Sequence, residues 1–197
     1  MKEIRLYTRY PDSTLVAAER QRAIYQRLFR ERNELRSDEY PVLPWTMADL
    51  PGTSWRNVHT AHLVVVQEIG ENGFGRMGPD PGEGSLFSIG LWRGDRFCIE
   101  HWVRVDHLPP AEQIAWARKR VEVEKRNLLR RQGELREAKA GATGRSLTFS
   151  KCLSRSAEAS LNAAREELTH LCGHLGVMLE THILNVGAVE GEQLQLL

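Results

Sequence analysis

Residues 2–8 alternate Ile4 and Leu6 with charged neighbours, the period-two pattern of a short strand. Pro11, Asp12 and Ser13 then supply helix-start chemistry, and a helix is expected to run to about residue 36. Ala17, Ile24, Leu28 and Leu35 give that helix an apolar stripe, with arginine and glutamate around the remainder. Residues 40–55 hold three prolines and a glycine, which predicts a loop tacked down by Trp45 and Trp55. Residues 59–69 carry Val64-Val65-Val66 and read as a strand buried on both faces. A glycine- and proline-rich connection is expected over 70–84. Residues 85–92 and 96–105 read as a β-hairpin turned at Arg93-Gly94-Asp95.

Leu108-Pro109-Pro110 stops the last strand and opens a helix with proline in its first turn, expected to reach about residue 139. Ile114, Val121, Leu128 and Leu135 recur every seven residues, but the alternate core positions are Ala117, Glu124, Arg131 and Ala138, so half a seam is present. The glycine-containing segment 141–144 breaks the chain, and a final helix is expected from about residues 150–154. Leu161, Ala164, Leu168, Leu171, Leu175 and Met178 step by three and four in turn, a coiled-coil-like stripe. A short connection favours antiparallel neighbours, so the two stripes predict an intramolecular hairpin over an intermolecular coiled coil. The expected fold is α+β: a small, mainly antiparallel sheet with an N-terminal helix and a long antiparallel C-terminal helical hairpin. The expected divisions are 1–108 for the small α+β domain, 109–183 for the hairpin and 184–197 for a flexible tail.

At 197 residues, with 41% hydrophobic and 27% charged, the chain has the composition of an ordinary globular protein with a substantial core. The apolar run from Leu63 to Val66 is far too short to span a bilayer, so no membrane partner is expected. No apolar leader opens the sequence, and Cys98, Cys152 and Cys172 are odd in number and widely spaced. Both features fit a reducing, cytoplasmic setting.

The net charge of +1 conceals a bipolar layout. Residues 37–117 carry 11 acidic and 5 basic side chains, whereas 118–155 carry 12 basic and 4 acidic. Within that block, Arg118, Lys119, Lys125, Arg126, Arg130, Arg131, Arg136, Arg145, Lys151 and Arg155 are the candidate nucleic-acid contacts. Phosphate backbones attract such a patch through charge neutralisation and counterion release. The expected loop from Gly144 to Lys151 adds hydroxyls, amides and Phe149. A solvated helix face laced by pairs such as Glu122 with Arg126 is the alternative, and an acidic protein would suit the same patch.

Gly73-Phe74-Gly75-Arg76-Met77-Gly78 matches the spacing of a dinucleotide loop, but Pro79, Pro81 and two further glycines follow where a helix must open. An inter-strand loop is expected instead. There is no Gly-Lys-Ser/Thr phosphate loop and no Gly-x-Ser-x-Gly elbow. His59 with His62, and Cys98 with His101, stand three apart on expected strands and so point to opposite faces. His170 and His174 share a helix face behind Glu166 and Glu167, a single Glu-x-x-His where a di-iron bundle needs two. Neither a metal nor a cofactor is expected. Glu100, His101, Asp106 and His107 gather near one strand end without a nucleophile, so no reaction is assigned and the reading leans away from an enzyme.

The chain closes on Gln193-Leu194-Gln195-Leu196-Leu197. Gln-Leu-x-Leu-Leu resembles the short peptide by which bacterial polymerases and repair factors dock on the replicative sliding clamp. The resemblance implies Gln193, Leu194, Leu196 and Leu197 as partner-binding residues, an extended backbone dropping the leucines into one apolar pocket. The bland alternative is that these leucines cover the protein's own core. The combined expectation is a non-enzymatic nucleic-acid-associated accessory factor of a phage or other mobile element, with nucleic acid and the sliding clamp as partners. The alternative is a protein-binding adaptor or inhibitor, such as an anti-defence protein, that sets the basic hairpin against an acidic partner surface.

Overall fold

The computed structural model of the chain describes residues 4–33, 35–36, 39–70, 74–78, 85–88, 91–93, 96–142, 144–174 and 176, with backbone alone across 74–93. It divides into two compact units, Met1–Lys119 and Arg120–Leu197. The first unit runs β1 (Arg5–Thr8), α1 (Leu15–Arg30), β2 (Val42–Thr46), β3 (Ser54–Asn57), β4 (Leu63–Ile69), β5 (Phe74–Gly78) and β6 (Ser85–Ser88). It continues through β7 (Leu91–Arg93), β8 (Arg96–Ile99) and β9 (Trp102–Arg104) into the start of α2 (Pro110–Lys139). The fold is the expected α+β type, its strands spread over two small sheets ordered β2-β1-β8-β7 and β6-β5-β4-β3-β9. Every described pairing is antiparallel except β1 with β8, which run parallel from Arg5 opposite Arg96 to Thr8 opposite Ile99.

The main core unites Leu6, Leu43, Phe97 and Ile99 of the first sheet with Trp55, Val64 and Val66 of the second. Met47 and Leu50 join it from a 3₁₀ turn. Residues 40–55 are therefore not the expected loop. Pro44 is tolerated because β2 lies at a sheet edge, where no ladder donor is required of it. Trp45 and Trp55 do meet, edge to face at 6.2 Å. Strand β4 alternates half-buried and buried positions, so its valines face the core on one side rather than both. The Gly73–Gly78 segment, expected as a loop, contributes β5, paired with β4 and β6. The expected pairing of 85–92 with 96–105 holds only for β7 with β8, where Arg93 lies opposite Arg96; β6 and β9 belong instead to the other sheet, paired with β5 and β3.

Helix α1 stops at Arg30, short of the expected residue 36. Arg32 takes φ 57°, and its N–H donates to the Phe29 carbonyl while Asn33 N–H reaches back to Leu28. These two bonds are the Schellman closure, which satisfies the last carbonyls and turns the chain away. At the other end the Leu15 N–H donates to the Glu112 carboxylate of α2 at 3.1 Å, placing an anion at the helix N-terminus. The buried side of α1 is centred on Ala18 and Tyr25, while Ile24 is 42% exposed. The stripe read from Ala17 and Ile24 is thus rotated by one residue, because the aromatic ring of Tyr25 packs between Tyr10 and Tyr40.

In the second unit the rest of α2 packs with α3 (Leu147–His174) as a helical hairpin. The ion pairs of Arg120 with Glu167 and of Arg145 with Glu134 run in opposite order, so the helices are antiparallel. Helix α2 also closes on a Schellman pair, here around Gly141 at φ 70°. Helix α3 starts earlier than residues 150–154, since the Ser146 carbonyl already accepts the Ser150 N–H. It buries Ala157, Leu161, Ala164, Leu168 and Cys172. The expected stripe residues Leu175 and Met178 lie outside the described residues. Among the described residues no helix is long and apolar enough to cross a membrane. No disulfide joins the three cysteines.

Candidate functional site

The hairpin end concentrates positive charge. Residues 125–155 carry nine basic and two acidic side chains, a balance of +7. Arg126, Arg130, Arg136, Arg145, Lys151 and Arg155 are exposed; Lys125 and Arg131 are half-buried. Three of these cations converge on one carboxylate: Glu134 accepts from Arg130 at 2.7 Å, Arg131 at 2.9 Å and Arg145 at 2.8 Å. The hydrogen bond from Arg131, then the charges around it, hold the Glu134 carboxyl below its usual range. Exposed Leu129, Leu147 and Phe149 sit among these cations in the sequence. The segment expected as a polar loop is the first turns of α3, and Ser150 is buried within it.

Two of the sequence candidates belong to the first unit. Arg118 is half-buried there. Lys119 is occupied internally: its Nζ lies 3.1 Å from Glu19, donates to the Val58 carbonyl at 2.9 Å and sits 5.1 Å from the Trp116 ring. Gln193, Leu194, Leu196 and Leu197 lie outside the described residues.

The first unit also holds a cleft of about 680 Å³ that the sequence did not reveal. It opens at the carboxyl ends of the parallel pair β1 and β8, with Arg9 and Tyr10 following one strand and Glu100 and His101 the other. Helix α1 forms a wall with Arg22, Tyr25, Gln26, Phe29 and Arg30, positions three to four apart that share one face. His59 comes from the turn after β3. Asn57 Oδ1 accepts the backbone N–H groups of His59 and Thr60, and Ala61 takes φ 57°. The Val58 N–H donates to the His101 carbonyl at 2.9 Å, which ties that turn to the chain leaving β8.

These constraints bring His59 Nε2 to 3.2 Å from His101 Nδ1. Burial first, then His101 and the charges of Arg22 and Lys119, hold the His59 proton affinity below the ordinary imidazole value. The guanidinium of Arg9 lies 5.4 Å from the Tyr25 ring centroid and 5.2 Å from that of Tyr40, and 3.6 Å from Glu100. Burial holds the phenols of Tyr10, Tyr25 and Tyr40 above their usual range, so they remain protonated. Arg9 pairs with Glu100, whereas Arg22 has no carboxylate within ion-pair distance among the described residues.

The expected cluster of Glu100, His101, Asp106 and His107 divides. Glu100 and His101 line the cleft. Asp106 instead binds the Arg104 guanidinium at 2.8 and 2.9 Å; burial raises its proton affinity, but Arg104 outweighs this and the carboxyl lies below its usual range. His107 packs against Trp45 at 5.7 Å. No three His, Cys, Asp or Glu side chains assemble as a metal ion would require among the described residues. The pairing of His59 with His101 had no local sequence signal. The Arg22-Tyr25-Gln26-Phe29-Arg30 face did, in its helical spacing.

Comparison with protein-family models, curated proteins and solved structures finds no match to this chain.

Proposed function

We propose that the protein binds nucleic acid through the end of its basic helical hairpin, as an accessory factor in nucleic-acid metabolism. The observation that carries this reading is the +7 balance of residues 125–155 on the helical hairpin, with six of the candidate cations exposed. Arginine forks suit phosphate oxygens, and the exposed Phe149 offers a stacking surface for an unpaired base.

The test is anisotropy of a labelled single-stranded oligonucleotide over a salt series. Arg130→Ala combined with Arg131→Ala is expected to weaken binding and reduce the salt slope by roughly one to two. Affinity that is independent of salt, or unchanged by those substitutions, would remove nucleic acid and leave an acidic protein surface as the hairpin's partner. Recruitment to a sliding clamp through Gln193, Leu194, Leu196 and Leu197 extends the same reading. A chain ending before Gln193 is expected to lose clamp binding while keeping its affinity for the oligonucleotide.

A further inference from the structure

We propose that the cleft of the first unit binds a nucleotide, its phosphate held by Arg22 beside the histidine pair and its base laid against Phe29. Three guanidiniums, those of Arg9, Arg22 and Arg30, face this space with one carboxylate, Glu100. They are not equivalent. Arg9 is consumed by the wall, stacked on Tyr25 and Tyr40 and paired with Glu100. Arg30 leans on its own helix, its Nε donating to the Gln26 carbonyl at 3.3 Å. Arg22 has no carboxylate partner among the described residues, and its Nε is buried without an acceptor. A half-buried guanidinium with an unpartnered Nε and no internal anion has donors to offer a bound oxyanion.

The adjoining wall is suited to the same charge. One imidazole of the His59–His101 pair donates to the other, leaving ring nitrogens that donate or accept beside Arg22. Phosphate fits such a set better than a carboxylate because it accepts from several directions at once.

The planar part follows from α1. Phe29 is 66% exposed although it borders the cleft, an unsatisfied apolar ring at its mouth. Arg22 and Phe29 are two helical turns apart, about 10 Å by helical rise, comparable with the span of a nucleotide from phosphate to base. The cleft volume of about 680 Å³ lies within the range of small-molecule sites and exceeds what a bare anion needs.

Calorimetry on the full chain tests this, with adenosine, guanosine, cytidine and uridine 5′-monophosphates titrated separately and inorganic phosphate as a second arm. At least one nucleotide is expected to bind, about tenfold more tightly than inorganic phosphate. Arg22→Gln is expected to weaken that binding by about 10- to 100-fold. Phe29→Ala, at a position 66% exposed, is expected to remove the nucleotide's advantage and leave phosphate binding unchanged. Absence of saturable binding by all four nucleotides overturns the assignment. So does equal affinity for inorganic phosphate, which would mark a site for an adventitious ion only, and so does wild-type affinity in a folded Arg22→Gln.

Discussion

The rings of His59 and His101 share one hydrogen bond, Nε2 to Nδ1 at 3.2 Å, across 42 residues of sequence. A ring nitrogen can accept only if it is unprotonated, so the bond requires at least one neutral imidazole. Burial, His101, Arg22 and Lys119 all make the native His59 harder to protonate than the unfolded one. A depressed native value adds stability that is fully present above the unfolded value, near about pH 6.5, and is lost as pH falls through the native value. Denaturation at about pH 7.5 and about pH 5 is therefore expected to show a small loss of stability on acidification, reduced in His59→Gln. In His101→Ala, the NMR titration of His59 should move up towards the ordinary imidazole value. An unmoved titration would assign the depression to burial and the cations alone.

Arg32 and Gly141 occupy the same backbone position at the ends of α1 and α2, with φ 57° and 70°. Only glycine adopts that conformation without strain between its side chain and the backbone. Arg32→Gly should therefore stabilise the first unit by about 0.5–1 kcal/mol, and Gly141→Ala should destabilise the hairpin by about 1 kcal/mol. A Cβ at Gly141 meets nothing within 4 Å, so that second cost is purely conformational. Urea denaturation monitored by circular dichroism reads both; a destabilised Arg32→Gly would mean that the arginine side chain makes a compensating contact.

The same two residues explain what could be read in advance. Gly141 announced the end of α2, and that boundary was legible at Lys139. Arg32 carries no such announcement, so α1 was extended to about residue 36. Strands with alternating or β-branched residues were also legible, as β1 and the β7–β8 hairpin illustrate. Strand β2 was hidden because a proline such as its Pro44 is excluded only from central strands, and edge placement is a tertiary fact. The cleft was hidden for a related reason. Arg9, His59 and His101 become neighbours through the parallel pairing of β1 with β8 and the Asn57 turn, neither of which leaves a periodicity. The charge of the hairpin was legible outright, but the convergence of Arg130, Arg131 and Arg145 on Glu134 was not, since Arg145 lies 11 residues beyond that carboxylate.

Lys119 separates a structural cation from a ligand-binding one. Its side chain is 9% exposed and holds Glu19, the Val58 carbonyl and the Trp116 ring together. Lys119→Ala leaves that carbonyl without its donor, and a loss of about 1–3 kcal/mol is expected in thermal or urea unfolding. The salt slope of oligonucleotide binding should be unaffected. Lys151→Ala is the contrasting case, exposed on α3: stability should hold while the slope falls by roughly one. A reversed pattern would relocate the nucleic-acid contact to the first unit.

Glu134 offers the sharpest separation between a hairpin built to bind phosphate and one merely laced by ion pairs. Its carboxylate is the shared acceptor of Arg130, Arg131 and Arg145, so the group of four carries two positive charges. Its lowered native proton affinity means that its contribution to stability is present above the unfolded carboxyl value and lost as pH falls through the native one. Glu134→Gln removes that contribution at neutral pH, and the hairpin should melt earlier. Binding should respond in the opposite direction. The substitution adds one positive charge and releases guanidinium donors, so affinity for a single-stranded oligonucleotide should rise and the salt slope should steepen by up to about one. Stability and affinity moving apart in the same variant is the expected signature, because no purely structural role for these arginines predicts tighter binding from a weaker fold.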